Sequence, residues 1–164
     1  MNRIISTAMR FAAISVLAGC ASIERSQVLY MGRKPVVAVK AIPLDPMSQR
    51  MAGAMNAVTK RCLAARGFDV TAKAKPDFSM TLTVSFHADS SVADWHVYEA
   101  AVGASAVKSS TAKILASTMV KEKGSREDWR MADIEEVVAN ILAPKLEDWL
   151  VDTISSLEPD AAAP

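Results

Sequence analysis

The 164-residue chain carries 19 basic and 18 acidic side chains, a net charge of +1, and no Lys/Arg cluster, which argues against a nucleic-acid partner. About half of it (51%) is hydrophobic, enough for one core of ordinary domain size. No apolar run reaches the ~20 residues that a membrane-spanning helix needs.

The N-terminus is the most specific passage. Arg3 and Arg10 give a positive leading region, and no acid precedes Glu24. Phe11 to Ala18 (FAAISVLA) is an apolar stretch of signal-core length. Leu17-Ala18-Gly19-Cys20 follows, with small residues where a peptidase needs an extended, unencumbered backbone. This ordered combination resembles the signal and lipobox of bacterial lipoproteins. The resemblance implies cleavage between Gly19 and Cys20, a thioether-linked diacylglycerol on Cys20 and an acylated (palmitate-type) amino group. Two or more chains, at ~0.8 kcal/mol per buried methylene, anchor a protein stably. In two-membrane bacteria an Asp after the Cys marks inner-membrane retention, so Ala21 implies the outer membrane, with the body facing the periplasm. The alternative is an ordinary secreted protein with an incidental Cys.

Arg3 and Arg10 are two of the 19 basic residues, so the mature body is close to neutral. The expected organisation is a signal peptide over 1–19, a lipidated tether over 20–34, an α+β domain over 35–157 and a disordered tail over 158–164. With Cys20 acylated, Cys62 is left as a lone thiol, read as a small buried hydrophobe; an intermolecular disulfide is the other reading.

Val36 to Ile42 (VVAVKAI), bounded by Pro35 and Pro43, predicts the first strand. Asp45 as N-cap with Pro46 behind it predicts a helix of about twenty residues, with Met47, Met51, Ala54, Val58, Cys62 and Ala65 on one face and Gly67 as its stop. The methionines could line a plastic groove; packing onto a sheet is the simpler reading. Phe78, Met80, Leu82, Val84, Phe86 and Ala88 alternate with Ser79, Thr81, Thr83, Ser85, His87 and Asp89, which predicts a long strand with one dry and one wet face. A turn at 89–91 and a strand over 95–102 complete a hairpin. The small residues 103–110 read as a loop. Thr111 to Lys121 reads as another strand, with Ala112, Ile114, Ala116, Thr118 and Val120 inward, and residues 122–125 read as a turn. Asp133 with Glu136 reads as a capping box, ahead of an apolar stripe from Ile134 to Leu157 that Pro144 should kink or divide. The expected fold is α+β: a mostly antiparallel sheet of about four strands with two helices on one face.

Chemistry-bearing residues are sparse. His87 and Asp89 precede the hairpin turn, and Asp94 and His96 follow it; paired across the strands, they are candidate Zn²⁺ ligands. No Gly-x-Ser-x-Gly setting, catalytic Ser-x-x-Lys context or phosphate loop occurs, so neither catalytic residues nor a cofactor is expected. Trp95, Trp129 and the wet face of residues 79–89 are candidate interaction surfaces, whereas Trp149 fits the core stripe.

The run Leu63-Ala64-Ala65-Arg66-Gly67-Phe68, then Lys75-Pro76-Asp77-Phe78 leading into the alternating strand, sits in a passage of residues 47–88. With the lipobox and the closing helix, it resembles the small domains of uncharacterised bacterial envelope lipoproteins, which include auxiliary subunits of envelope transport systems. The resemblance transfers no catalytic residue. It implies a lipid-anchored structural or accessory component that binds another envelope protein. The alternatives are a lipid- or small-ligand carrier and, third, a small metal protein or enzyme.

Overall fold

The computed structural model describes residues 27–70, 75–92, 95–127 and 130–157. The signal segment, Cys20 and the tail therefore lie outside the described residues, as do Asp94 and Trp129.

The element order is β1 (Val37–Pro43), a 3-10 turn (Pro46–Ser48), α1 (Gln49–Ala65), β2 (Phe78–Val92), β3 (Trp95–Lys108), β4 (Lys113–Glu127) and α2 (Met131–Ser155). The four strands form one sheet in the order β1-β2-β3-β4. β1 lies parallel to β2, and the other neighbours are antiparallel. This is the α+β sandwich expected, with both helices on one face.

The alternation of β2 decides which face. Phe78, Met80, Leu82, Val84 and Phe86 are buried, as are Tyr98, Ala100, Val102, Ala104 and Ala106 beside them on β3. Opposite them pack Met51, Met55, Val58 and Leu63 of α1 and Ile134, Val138, Leu142, Leu146, Leu150 and Ile154 of α2. The α2 residues recur every four positions, a row inclined to the helix axis that winds slowly around its buried side. Each large side chain buried in this layer contributes about 1.5–3 kcal/mol. Met51 and Met55 are fully buried, so the methionine stripe is core and forms no open groove.

The helix ends follow the residues found there. Asp45 accepts from the Ser48 backbone N–H (2.9 Å) and the Ser48 hydroxyl (2.7 Å). The same hydroxyl accepts from the Phe86 N–H at 2.8 Å, just past the point where β1 stops pairing with β2. At the other end of α1, Gly67 takes φ of +100°, and the Gly67 and Phe68 N–H groups donate back to Ala64 and Leu63. That is a Schellman stop, which needs the left-handed conformation glycine adopts without strain.

Five expectations change. Residues 89–91 are no turn, since β2 continues through them to Val92. Residues 103–108 are no loop: β3 continues to Lys108, its small residues lying between β2 and β4, and only Ser109 and Ser110 fall in the turn that follows. Residues 122–125 are no turn: β4 continues through them to Glu127. Gly124 is there because Tyr98 lies across it; a Cβ would sit 2.5 Å from the Tyr98 hydroxyl. A register shift beside Leu115 reverses the start of β4, so Ala116, Thr118 and Val120 are the half-buried row while Ala112 and Ile114 are exposed. Finally, Arg130 occupies the N-cap position of α2 without a side-chain cap, and Asp133 sits inside the first turn, paired with Arg130 at 3.0 Å. Pro144 lies within α2 without dividing it.

The folded body also starts before Pro35. Tyr30 and Arg33 exchange backbone hydrogen bonds around Met31 and Gly32, both at positive φ. Tyr30 is buried edge-on against Phe78, centroids 4.9 Å apart. Asp77 fixes this segment by accepting from the Arg33 guanidinium (2.9 Å) and from the Val36 N–H (2.8 Å).

Replacing Ser48 with Ala strands the Phe86 N–H and removes one ligand of Asp45. Chemical denaturation should show a loss of about 1–3 kcal/mol, and an unchanged midpoint would refute this bridging role.

Candidate functional site

The two helices cover one face of the sheet, and among the described residues nothing covers the other. Register aligns the bare side chains in rows across β2, β3 and β4: Thr81 with Ser105 and Ser117, Thr83 with Gly103 and Met119, and His87 with Glu99 and Lys123. The first two rows surround a shallow depression of about 450 Å³. Gly103 is its floor, and the Thr83 hydroxyl donates to the Gly103 carbonyl at 3.3 Å. A Cβ at position 103 would meet that hydroxyl at 2.6 Å, so a larger residue there would push the Thr83 hydroxyl away from the Gly103 carbonyl. The depression is edged by hydroxyls, which both donate and accept, and by Met119, an exposed apolar side chain. A charged row follows it, with Lys123 3.1 Å from Glu99. Hydroxyls without an adjacent base or carboxylate suit binding rather than proton transfer.

The candidate metal ligands do not converge. His87 faces Glu99 across the ladder rather than His96, because β2 runs on to Val92 before the chain reverses and Asp89 pairs with Val97. Asp94 lies outside the described residues, as does the side chain of His96. Among the described residues no group of three His, Cys, Asp or Glu side chains could hold a metal ion. Trp149 is half-buried against the core, as its stripe position required. Cys62 is fully buried on α1. It is disulfide-bonded, which corrects the lone thiol expected from sequence.

Sequence reasoning missed two carboxylates between the helices. Glu135 and Glu147 are both almost fully buried, on the α2 row that also holds Ala139 and Ala143. Glu135 lies 3.4 Å from Arg50, and Glu147 lies 3.5 Å from Arg66 at the end of α1. The first pair edges a second depression, about 390 Å³, whose lining includes Arg50, Arg61, Glu135 and Glu136. The four-residue spacing from 135 to 147 was a usable signal: it places both acids beside the apolar stripe.

The two pairs differ in solvation. The Arg50 side chain is 65% exposed but that of Arg66 only 15%. Burial pushes the Glu135 carboxyl above its ordinary range, against the opposing pull of Arg50. A raised folded-state pKa means that the folded protein holds this proton more tightly than the unfolded chain. The carboxyl therefore costs least below about 4.5 and its full amount above the folded value.

No family model matches the chain, and no curated protein matches it. Solved structures share its fold. A Xanthomonas campestris protein of the DUF330 family superposes with a TM-score of 0.62 at 14% identity, over 82% of this chain and 91% of that one. A candidate lipoprotein from Caulobacter crescentus gives 0.54 at 12% identity, over 74% and 93%. A hypothetical protein from Chlamydia trachomatis gives 0.50 at 7% identity, over 75% and 99%. The architecture is therefore shared with a candidate bacterial lipoprotein.

Opposite mutational signs follow for the two ion pairs. Glu135→Gln should raise the melting temperature at pH 7, since Arg50 stays hydrated alone, and the gain should vanish below about pH 4. Glu147→Gln leaves a buried Arg66 unmatched and should cost about 3–5 kcal/mol. Thermal melts across pH check both, and equal effects at the two sites would contradict the difference in solvation.

Proposed function

We propose that the protein is a lipid-anchored lipoprotein of the bacterial envelope, held at the outer membrane and facing the periplasm. In this reading it is an accessory binding component that offers the bare face of β2–β4 to a protein partner, and it is not an enzyme. The observation that carries the reading is the uncovered sheet face. Its centre is uncharged, small and rich in hydroxyls, with a glycine-floored depression. Such a surface can be desolvated at low cost, because few charges must be stripped of water.

Residues 17–20 supply the anchor, and the shared fold supports the class. Among the described residues no helix is long and apolar enough to cross a membrane, so attachment in this reading rests on the lipid. The carrier reading lacks its original motive, since Met51 and Met55 fill the core.

Site-specific photo-crosslinking in intact cells tests the binding face. A probe at Ser105, on the bare face, should give one discrete adduct, whereas a probe at Gly53, on the exposed side of α1, should not. Ser117→Arg should abolish the adduct while changing stability by no more than about 0.5 kcal/mol. The same adduct from both positions, or none from Ser105, would overturn the proposal.

A further inference from the structure

The geometry points to a second membrane contact: the Tyr30–Arg33 turn and the lysines around it seat one end of the sheet on the bilayer surface. This rests on the reading that Cys20 carries the lipid.

Chain length comes first. Gln27 already lies against Gly67, and Val28 donates to the Arg66 carbonyl, so the body is fixed from residue 27 onward. Cys20 precedes Gln27 by seven residues, which reach at most about 25 Å when fully extended. The end of the sheet where this segment docks is therefore held near the headgroups, whatever path the link takes.

That end is built for the location. Met31 is 79% exposed at the tip of the turn, and Leu29 beside it is 50% exposed. Two consecutive positive-φ residues in a two-residue turn favour Asn or Gly. Met31 at φ 52° suits neither its backbone nor water, and an apolar acyl boundary would suit its side chain. Ile114, 65% exposed, belongs to the same end, since it pairs with Val107 near the close of β3. Lys34, Lys75 and Lys113 are exposed on this end, and Lys108 lies over the Tyr30 ring, 5.9 Å from its centroid. The carboxylate nearest the turn, Asp77, is taken up by Arg33. Exposed apolar tips among lysines are the composition that an anionic lipid surface attracts. The opposite end of the sheet also exposes apolar groups, Leu44 and Met47, but lies the length of β2 away, 15 residues or about 50 Å. Tether length selects the first end.

The test uses the mature lipidated protein in vesicles of phosphatidylethanolamine with phosphatidylglycerol, compared with non-ionic detergent. Amine-reactive labelling is read residue by residue in a mass spectrometer. Lys34 and Lys113 should label several-fold less in vesicles, while Lys40 and Lys121 on the body keep their labelling. Met31→Asn, which suits the turn better, should return Lys34 to its detergent level. Protein that floats with the vesicles yet labels equally in both conditions overturns the membrane contact but keeps the anchor. Protein that does not float overturns the anchor reading and this inference with it.

Discussion

One constraint organises the molecule: β2 keeps a strict two-residue alternation, so every apolar side chain along it must face the same way. Phe78, Met80, Leu82, Val84 and Phe86 can leave water only if something covers that face, and α1 and α2 together do so. The same alternation sends Ser79, Thr81, Thr83 and Ser85 to the other side, where nothing apolar along β2 demands a cover. The dry layer and the bare face are two outcomes of a single pattern. A slip of one residue in register would exchange them, which is why the core also fixes the surface.

The helices in turn are held in place by more than oil. Two arginines of the α1 region reach two glutamates on α2, one near each end of the helix pair. An ion pair of this kind adds little net stability, because desolvation offsets attraction. Its effect is to favour one alignment of the helices over slides along the apolar stripe. The stop after α1 contributes to the same alignment: Arg66, Gly67 and Phe68 respectively reach α2, reverse the chain and enter the core. Lys75-Pro76-Asp77-Phe78 acts similarly at the start of β2, where Asp77 holds the incoming N-terminal segment and Phe78 meets Tyr30.

Where the sequence carried a period, it was legible. β2 and the stripe of α2 are present as their spacing required, and α1 nearly so: Asp45 caps a 3-10 turn that leads into it, and Met47 and Ala65 at its ends are exposed. The errors fell where side-chain size stood in for period. Gly103 and Gly124 resembled loop and turn residues, yet each is a strand position that a neighbour across the ladder, Thr83 or Tyr98, leaves no room to enlarge. Such a requirement depends on a partner strand whose register local sequence does not contain. The shift at Leu115 is invisible for the same reason. It turned Ile114 outward although its alternation with Ala116 looked regular. His87 and His96 failed to meet because β2 continues through the expected turn at 89–91 to Val92, whereas the bare face as a candidate surface followed directly from the wet half of β2.

The fold is shared with a candidate bacterial lipoprotein, and residues 17–20 read as an acylation signal, a covalent change that a mass measurement weighs directly. Intact-mass and N-terminal peptide measurement of protein from its native host should find a chain beginning at Cys20, heavier by a diacylglycerol and an acyl group. A chain that keeps residues 1–19, or a mature chain whose Cys20 is joined to Cys62 and bears no lipid, would contradict it.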